Sequence, residues 1–219
     1  MQGSVFPSFR RHLVAALLTL LAVPAMAEPG FPPPQTLSFD IIRHDDIIGS
    51  HTIAVTQNQG RHEITIDVKV AVTVFGIVAY RFKQHGVEYW DGGKLKSLSF
   101  ETNDNGDKFN VTGEASPGYI KIAANAETFH YGMLPLTTMW RPAPLAATQI
   151  LDPSDGKSYK IAVTDLGMET ISVRGQLVQA RHWRWDGEFK RDLWYDATGA
   201  LIQGHIVGDD GSDVYLRLK

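Results

Sequence analysis

From Ile64 to Val74 every second residue is apolar: Ile64, Ile66, Val68, Val70, Val72 and Val74 alternate with Thr65, Asp67, Lys69, Ala71 and Thr73. A period of two marks a strand with one face toward a core and the other toward water. Similar β-branched and aromatic segments of strand length follow at Leu95 to Thr102, Lys108 to Ala115, Tyr159 to Thr164, Leu177 to Trp185, Phe189 to Tyr195, Leu201 to Val207 and Val214 to Leu218. Turn-formers separate them, among them Asn58-Gln59-Gly60, Asp91-Gly92-Gly93, Asn105-Gly106, Asp186-Gly187 and Asp210-Gly211. Asn-Gly and Asp-Gly supply the positive φ that tight hairpins require. Hairpins in series, with no helical crossover, predict an all-β, mainly antiparallel meander that curls into a β-roll or open barrel.

One stretch departs from this rhythm. Leu134 to Leu151 contains Pro135, Pro142 and Pro144, and Pro144 to Ile150 has the composition of one or two helical turns. It predicts a short helical insertion around residues 143 to 151, dividing about seven strands from about five. It lacks the polar composition of a linker, so residues 36 to 219 are read as one antiparallel β domain.

The N-terminus has a different character. Arg10, Arg11 and His12 precede an apolar run from Leu13 to Val23, and Ala25-Met26-Ala27 offers a small-residue cleavage site. This is the pattern of a signal peptide over residues 1 to 27, which implies a periplasmic or secreted protein. The run is shorter than the roughly 20 residues of a spanning helix, so no stable membrane anchor is expected. Residues 28 to 35, with Pro29 and Pro32-Pro33-Pro34, read as an extended Pro-rich lead-in. The chain has no cysteine, so neither disulfides nor thiol chemistry enter the account. Losing two signal arginines and no acid takes the formal net charge from −3 to −5, which argues against nucleic acid as a partner.

Catalytic and metal signatures are sparse. There is no G-x-S-x-G elbow, and His62-Glu63 opens like a zinc-protease motif but carries Ile66 where the second histidine belongs. Arg43-His44-Asp45-Asp46 with His51 reads as a polar hairpin end, and Glu101 to Gly106 as a turn without the closing carboxylate of a calcium loop. His182 and His205 read as strand residues. No catalytic residue, metal ligand or cofactor is assigned. Carboxylates near aromatics, namely Glu88, Glu101, Asp186, Glu188 and Asp192, leave a glycosidase-like pair open, since such pairs assemble from distant strands.

All five Trp lie beyond the signal. Trp183 and Trp185 share a strand face, while Trp194 and Tyr195 point to opposite faces. A curled sheet of ten or more strands is wide enough to leave space inside. The sequence therefore supports a non-catalytic envelope protein whose greasy concave face binds an apolar or amphipathic, lipid-like ligand, with Trp90, Trp183, Trp185 and Trp194 as ligand-binding residues. Two alternatives stand beside it. One is a hydrolase of envelope glycan or lipid using carboxylates near the Trp cluster; the other is a scaffold that pairs an edge strand with another envelope protein.

The run Asp192-Leu193-Trp194-Tyr195-Asp196-Ala197-Thr198-Gly199-Ala200-Leu201 resembles a signature of uncharacterised exported bacterial proteins, a domain of unknown function. Tyr89-Trp90-Asp91-Gly92-Gly93-Lys94-Leu95 and the Trp140 segment share that character. The resemblance implies a spiral β-roll in the cell envelope and carries over no activity. Structurally, Asp196 to Gly199 is expected to form the hairpin turn, flanked by Trp194 and Leu201 as anchors.

Overall fold

The computed structural model describes residues 31–208 and 210–219. Fourteen strands run in chain order: β1 (Gln35–Arg43), β2 (Asp46–Asn58), β3 (Arg61–Val74), β4 (Ile77–Asp91), β5 (Lys94–Asp104), β6 (Asp107–Ser116), β7 (Tyr119–Ala124), β8 (Glu127–Gly132), β9 (Gln149–Asp152), β10 (Lys157–Val173), β11 (Gln176–Gly187), β12 (Arg191–Tyr195), β13 (Leu201–Val207) and β14 (Asp213–Leu218). They form one sheet in the order β8-β7-β6-β5-β4-β3-β2-β1-β14-β13-β12-β11-β10-β9. Two meanders, one of eight strands and one of six, are thus stitched together where the first strand pairs antiparallel with the last, Phe39 opposite Leu218 and Arg43 opposite Val214.

The alternation of the sequence becomes an inside and an outside. On β2 the inward positions are His51, Ile53 and Val55, on β3 His62, Ile64 and Ile66, and on β4 Gln84, Glu88 and Trp90. Leu193 and Tyr195 do the same on β12. One large core spans both meanders from Phe39 and Phe100 to Trp185 and Leu201. A small cluster of Ile171, Ala180 and Ile202, with Trp194 against it, packs separately.

The sheet curls as a spiral. Gly156, in the turn after β9, sits against Val111, Ile122 and Ala124 of β6 and β7, and the Tyr131 hydroxyl donates to its carbonyl at 3.3 Å. Its φ of +79° and the approach of Ala124 both demand glycine there, since an added Cβ would lie 2.7 Å from the Ala124 methyl.

The helical insertion is not formed. After β8 the chain from residue 133 to 148 is irregular and crosses the inside of the curl as a plug. Pro135, Pro142 and Pro144 remove amide donors and break the stretch into pieces too short to nucleate a helix. Ala147 N–H closes a single turn on the Pro144 carbonyl, and Gln149 to Asp152 is strand β9. The plug is tied to β9 by a parallel bridge, Leu136 beside Leu151, in which Thr137 N–H donates to the Leu151 carbonyl at 3.0 Å.

Of the Pro-rich lead-in, residues 31–35 are described: Gln35 already belongs to β1, and Phe31 is buried, stacked on His62 with ring centroids 4.1 Å apart. The signal-peptide reading of residues 1–27 lies outside the described residues. Among the described residues no helix is long and apolar enough to cross a membrane. At the opposite extreme of exposure, the β3–β4 hairpin ends in Val74-Phe75-Gly76-Ile77, with Phe75 wholly exposed and Ile77 72% exposed.

Candidate functional site

Two clamps hold the plug, and each follows from strand alternation. Glu88 lies two residues before Trp90 on β4, so both side chains point inward. The Glu88 carboxylate is completely buried. It accepts hydrogen bonds from the indole N–H of Trp90 at 2.8 Å, the indole N–H of Trp140 at 2.9 Å and the Thr138 hydroxyl at 2.6 Å. Arg141 stacks 4.0 Å above the Trp90 ring and 4.9 Å from that of Trp140. Burial pushes the Glu88 carboxyl above its ordinary range, against the pull of those donors and of Arg141. From the other meander, the buried Tyr195 hydroxyl reaches the carbonyls of Met139 at 3.0 Å and Arg141 at 3.2 Å. Between the clamps, Met139 has a φ of +60°, a left-handed conformation that non-glycine residues adopt at some strain.

Beside this plug the curl is hollow. A cavity of about 280 Å³ is bounded by the inward faces of β1–β4 and β12–β14, by Thr137 to Met139, and by Asp152 and Ser154. One side is apolar, with Ile66, Val68, Val70, Phe82, Val214 and Leu216. The other side is polar. His51 is 3% exposed and Arg191 is half-buried, and the His51 Nε2 and the Arg191 Nε are enclosed without a hydrogen-bond partner. Arg191 donates through a terminal nitrogen to the Thr137 carbonyl at 3.0 Å and lies over the Phe189 ring at 4.8 Å. Among the described residues no carboxylate forms an ion pair with it; Asp152 acts on it through space and accepts from the Thr137 hydroxyl at 3.1 Å. The lining is therefore not the wholly greasy surface expected from the sequence.

Burial dominates the electrostatics of this pocket. Desolvation, and then the nearby Arg191 guanidinium, lower the His51 imidazole to about 4, with Asp67 pulling the other way. His51 is therefore neutral at pH 7. A group lowered on folding contributes stability that is complete above its unfolded pKa, ordinarily 6.5, and is lost as the pH falls through the folded value of about 4. Over that window the loss amounts to about 3 kcal/mol. Urea denaturation at pH 7 and pH 4 is expected to show it, and His51→Gln is expected to remove that part of the acid sensitivity. Equal pH dependence in the two proteins would contradict it.

The residues singled out from the sequence fall in different places. Trp90 is buried beside the plug, in the Glu88 clamp. Trp185 is buried in the main core with its indole N–H unpaired, and Trp183 packs against that core. Trp194 belongs to the separate small cluster, half-buried, stacked on His182 at 4.3 Å and donating to Glu169 at 2.8 Å. None of the four lines the cavity. Of the five carboxylates near aromatics, Glu88 alone is buried. Glu101, Asp186 and Glu188 are exposed, and Asp192 joins a surface network with His182 at 2.7 Å and Arg184 at 2.8 Å. His44 is exposed on its turn while His51 faces the interior, so that hairpin-end group does not converge. Asn103 accepts from Gly106 N–H at 2.9 Å, closing the turn at Asn105-Gly106. Among the described residues no three His, Asp or Glu are grouped to hold a metal ion.

Sequence reasoning passed over Arg191, Gln84, Asp152 and the Thr137 to Met139 segment. For Arg191 a signal was present: it is in phase with Leu193 and Tyr195, and an ionisable residue on the apolar phase of a strand is directed inward.

A single antiparallel sheet curled around its own connecting segment defines a β-barrel-like protein. A solved structure of similar fold is a β-barrel-like protein of domain of unknown function DUF1849 from Brucella abortus, at 8% identity and a TM-score of 0.61, covering 85% of this chain and 95% of that one. No curated protein matches. Residues 39–219 match the model of the domain of unknown function DUF6134, and the chain belongs to that family.

Proposed function

We propose that this protein is an exported, non-catalytic carrier or sensor that binds an amphipathic, lipid-like ligand inside its curled sheet. The cavity beside the plug carries the reading. Protein interiors are close-packed, and a hollow of about 280 Å³ with an apolar wall and a few convergent polar groups has the character of a ligand site. The signal-like N-terminus supports a periplasmic or secreted setting. The exposed apolar tip at Phe75 and Ile77 supports contact with a lipid surface from which such a ligand would be drawn. The hydrolase alternative has less support, because the one buried carboxylate of the Trp cluster, Glu88, has its oxygens engaged by three donors. The edge-pairing alternative would have to use edge strands of only six and four residues.

Native mass spectrometry of protein extracted gently from its producing cells tests the proposal. A bound mass is expected on the wild type. Val68→Trp, which places an indole in the cavity, is expected to lose that mass while stability shifts by no more than about 1 kcal/mol, since the ring takes existing space. No bound mass on the wild type, or retention by Val68→Trp, would overturn it.

A further inference from the structure

Resting on that reading, we infer that Arg191 and His51 form an anion-recognition pair and that the ligand is a medium-chain aliphatic carboxylate, its head at Arg191 and its tail along Val68, Val70 and Leu216. Three observations converge on this chemistry. Among the described residues no carboxylate forms an ion pair with the half-buried Arg191 guanidinium, whose opposing charge, Asp152, acts through space, although withdrawing a cation from water without a paired anion is costly. The Arg191 Nε–H is an enclosed, unspent donor, and the His51 Nε2 is a second enclosed nitrogen without a partner on the same cavity. With its ring neutral, His51 in the tautomer protonated at Nε2 donates to an oxygen without bringing a second charge. Two N–H donors from a planar guanidinium and an imidazole suit a carboxylate, whose two oxygens accept in one plane.

The size of the site limits the tail. At about 30 Å³ per water-sized group, the cavity accommodates on the order of nine non-hydrogen atoms. That holds the carboxylate head and about six further carbons of the tail, the rest of a longer chain passing out through the open side. Asp152 is the opposing charge on this lining. Its Oδ1 is occupied by Thr137 and by Ser154 N–H, which turns this acid into a support for the loop wall.

Isothermal titration of the protein as its cells produce it, with decanoate and with decanol at pH 7, tests the inference. Decanoate is expected to bind at least about tenfold more tightly than decanol, the worth of a charge-assisted hydrogen bond. Arg191→Gln is expected to erase that preference while leaving decanol binding intact, and Arg191→Lys to restore part of it. Removing a partly desolvated cation that has no ion-pair partner among the described residues also predicts that unliganded Arg191→Met melts no lower than the wild type. The wild-type comparison of the two probes stands even if a variant fails to fold. Equal affinity for decanol and decanoate, or decanoate binding unchanged in Arg191→Gln, would overturn the anion assignment and leave the amphiphile reading standing. Failure of both probes to bind would overturn this inference together with that reading.

Discussion

Glu88→Ala is expected to lower the unfolding free energy by about 3 to 5 kcal/mol, the range seen when one member of a buried charged network is removed. The substitution leaves the indole N–H groups of Trp90 and Trp140 and the Thr138 hydroxyl without their acceptor. It also leaves Arg141 held over the same rings with no counter-charge. Each orphaned donor carries its own desolvation penalty, so the loss exceeds that of one hydrogen bond. Urea titration at constant pH measures it; a midpoint within error of the wild type would show that the plug is not anchored there. Glu88→Gln separates shape from charge, because the amide keeps one acceptor oxygen. A carboxyl raised on folding contributes stability that is complete below its unfolded value, ordinarily 4.5, and is lost as the pH rises through the folded value. Wild type is therefore expected to lose stability relative to Glu88→Gln as the pH climbs above 4.5, whereas His51 acts in the opposite direction.

Tyr195→Ala is expected to destabilise by a similar amount, about 3 to 5 kcal/mol for a large buried aromatic. Its ring is 1% exposed in the main core, and its hydroxyl is the C-terminal meander's hold on the Met139 and Arg141 carbonyls. Tyr195→Phe keeps the packing and removes the donor, with an expected loss of about 1 kcal/mol. The two clamps grip neighbouring residues of one segment from opposite meanders. Combining Glu88→Gln with Tyr195→Phe is accordingly expected to give a non-additive loss, and faster amide exchange confined to residues 133–148. Strict additivity, with exchange unchanged there, would show that these two clamps do not hold the plug.

Much of the architecture was legible from local chemistry. The alternation from Ile64 has one face of β3 in the core to Ile66 and on the cavity at Val68 and Val70, whereas Val74, expected to face a core, is exposed at the hairpin tip; Asn105-Gly106 turns because both residues adopt positive φ. The forecast segment Leu201 to Val207 is strand β13 residue for residue. The forecast helix failed because composition registers helix-forming alanines but not the three prolines' combined effect on amide pairing. At the site, Trp90 and Glu88 were readable as a same-face pair on β4. Their convergence with Trp140, distant in sequence, was not, because nothing local encodes which part of an irregular segment folds back under a sheet. Trp194 shows the same division. Its opposition to Tyr195 follows from strand geometry, but that Tyr195 would face the core and Trp194 the small separate cluster depended on how the sheet curled.

By itself, then, the sequence determined the strands, their turns and the two faces of each, since these depend on residues a few positions apart. Only the tertiary structure decided that β1 meets β14, that the Pro-rich crossing becomes a plug, and that Arg191 and His51 look into one hollow. Those outcomes depend on which buried surfaces satisfy one another across the whole chain, where apolar area and polar pairing must balance at once.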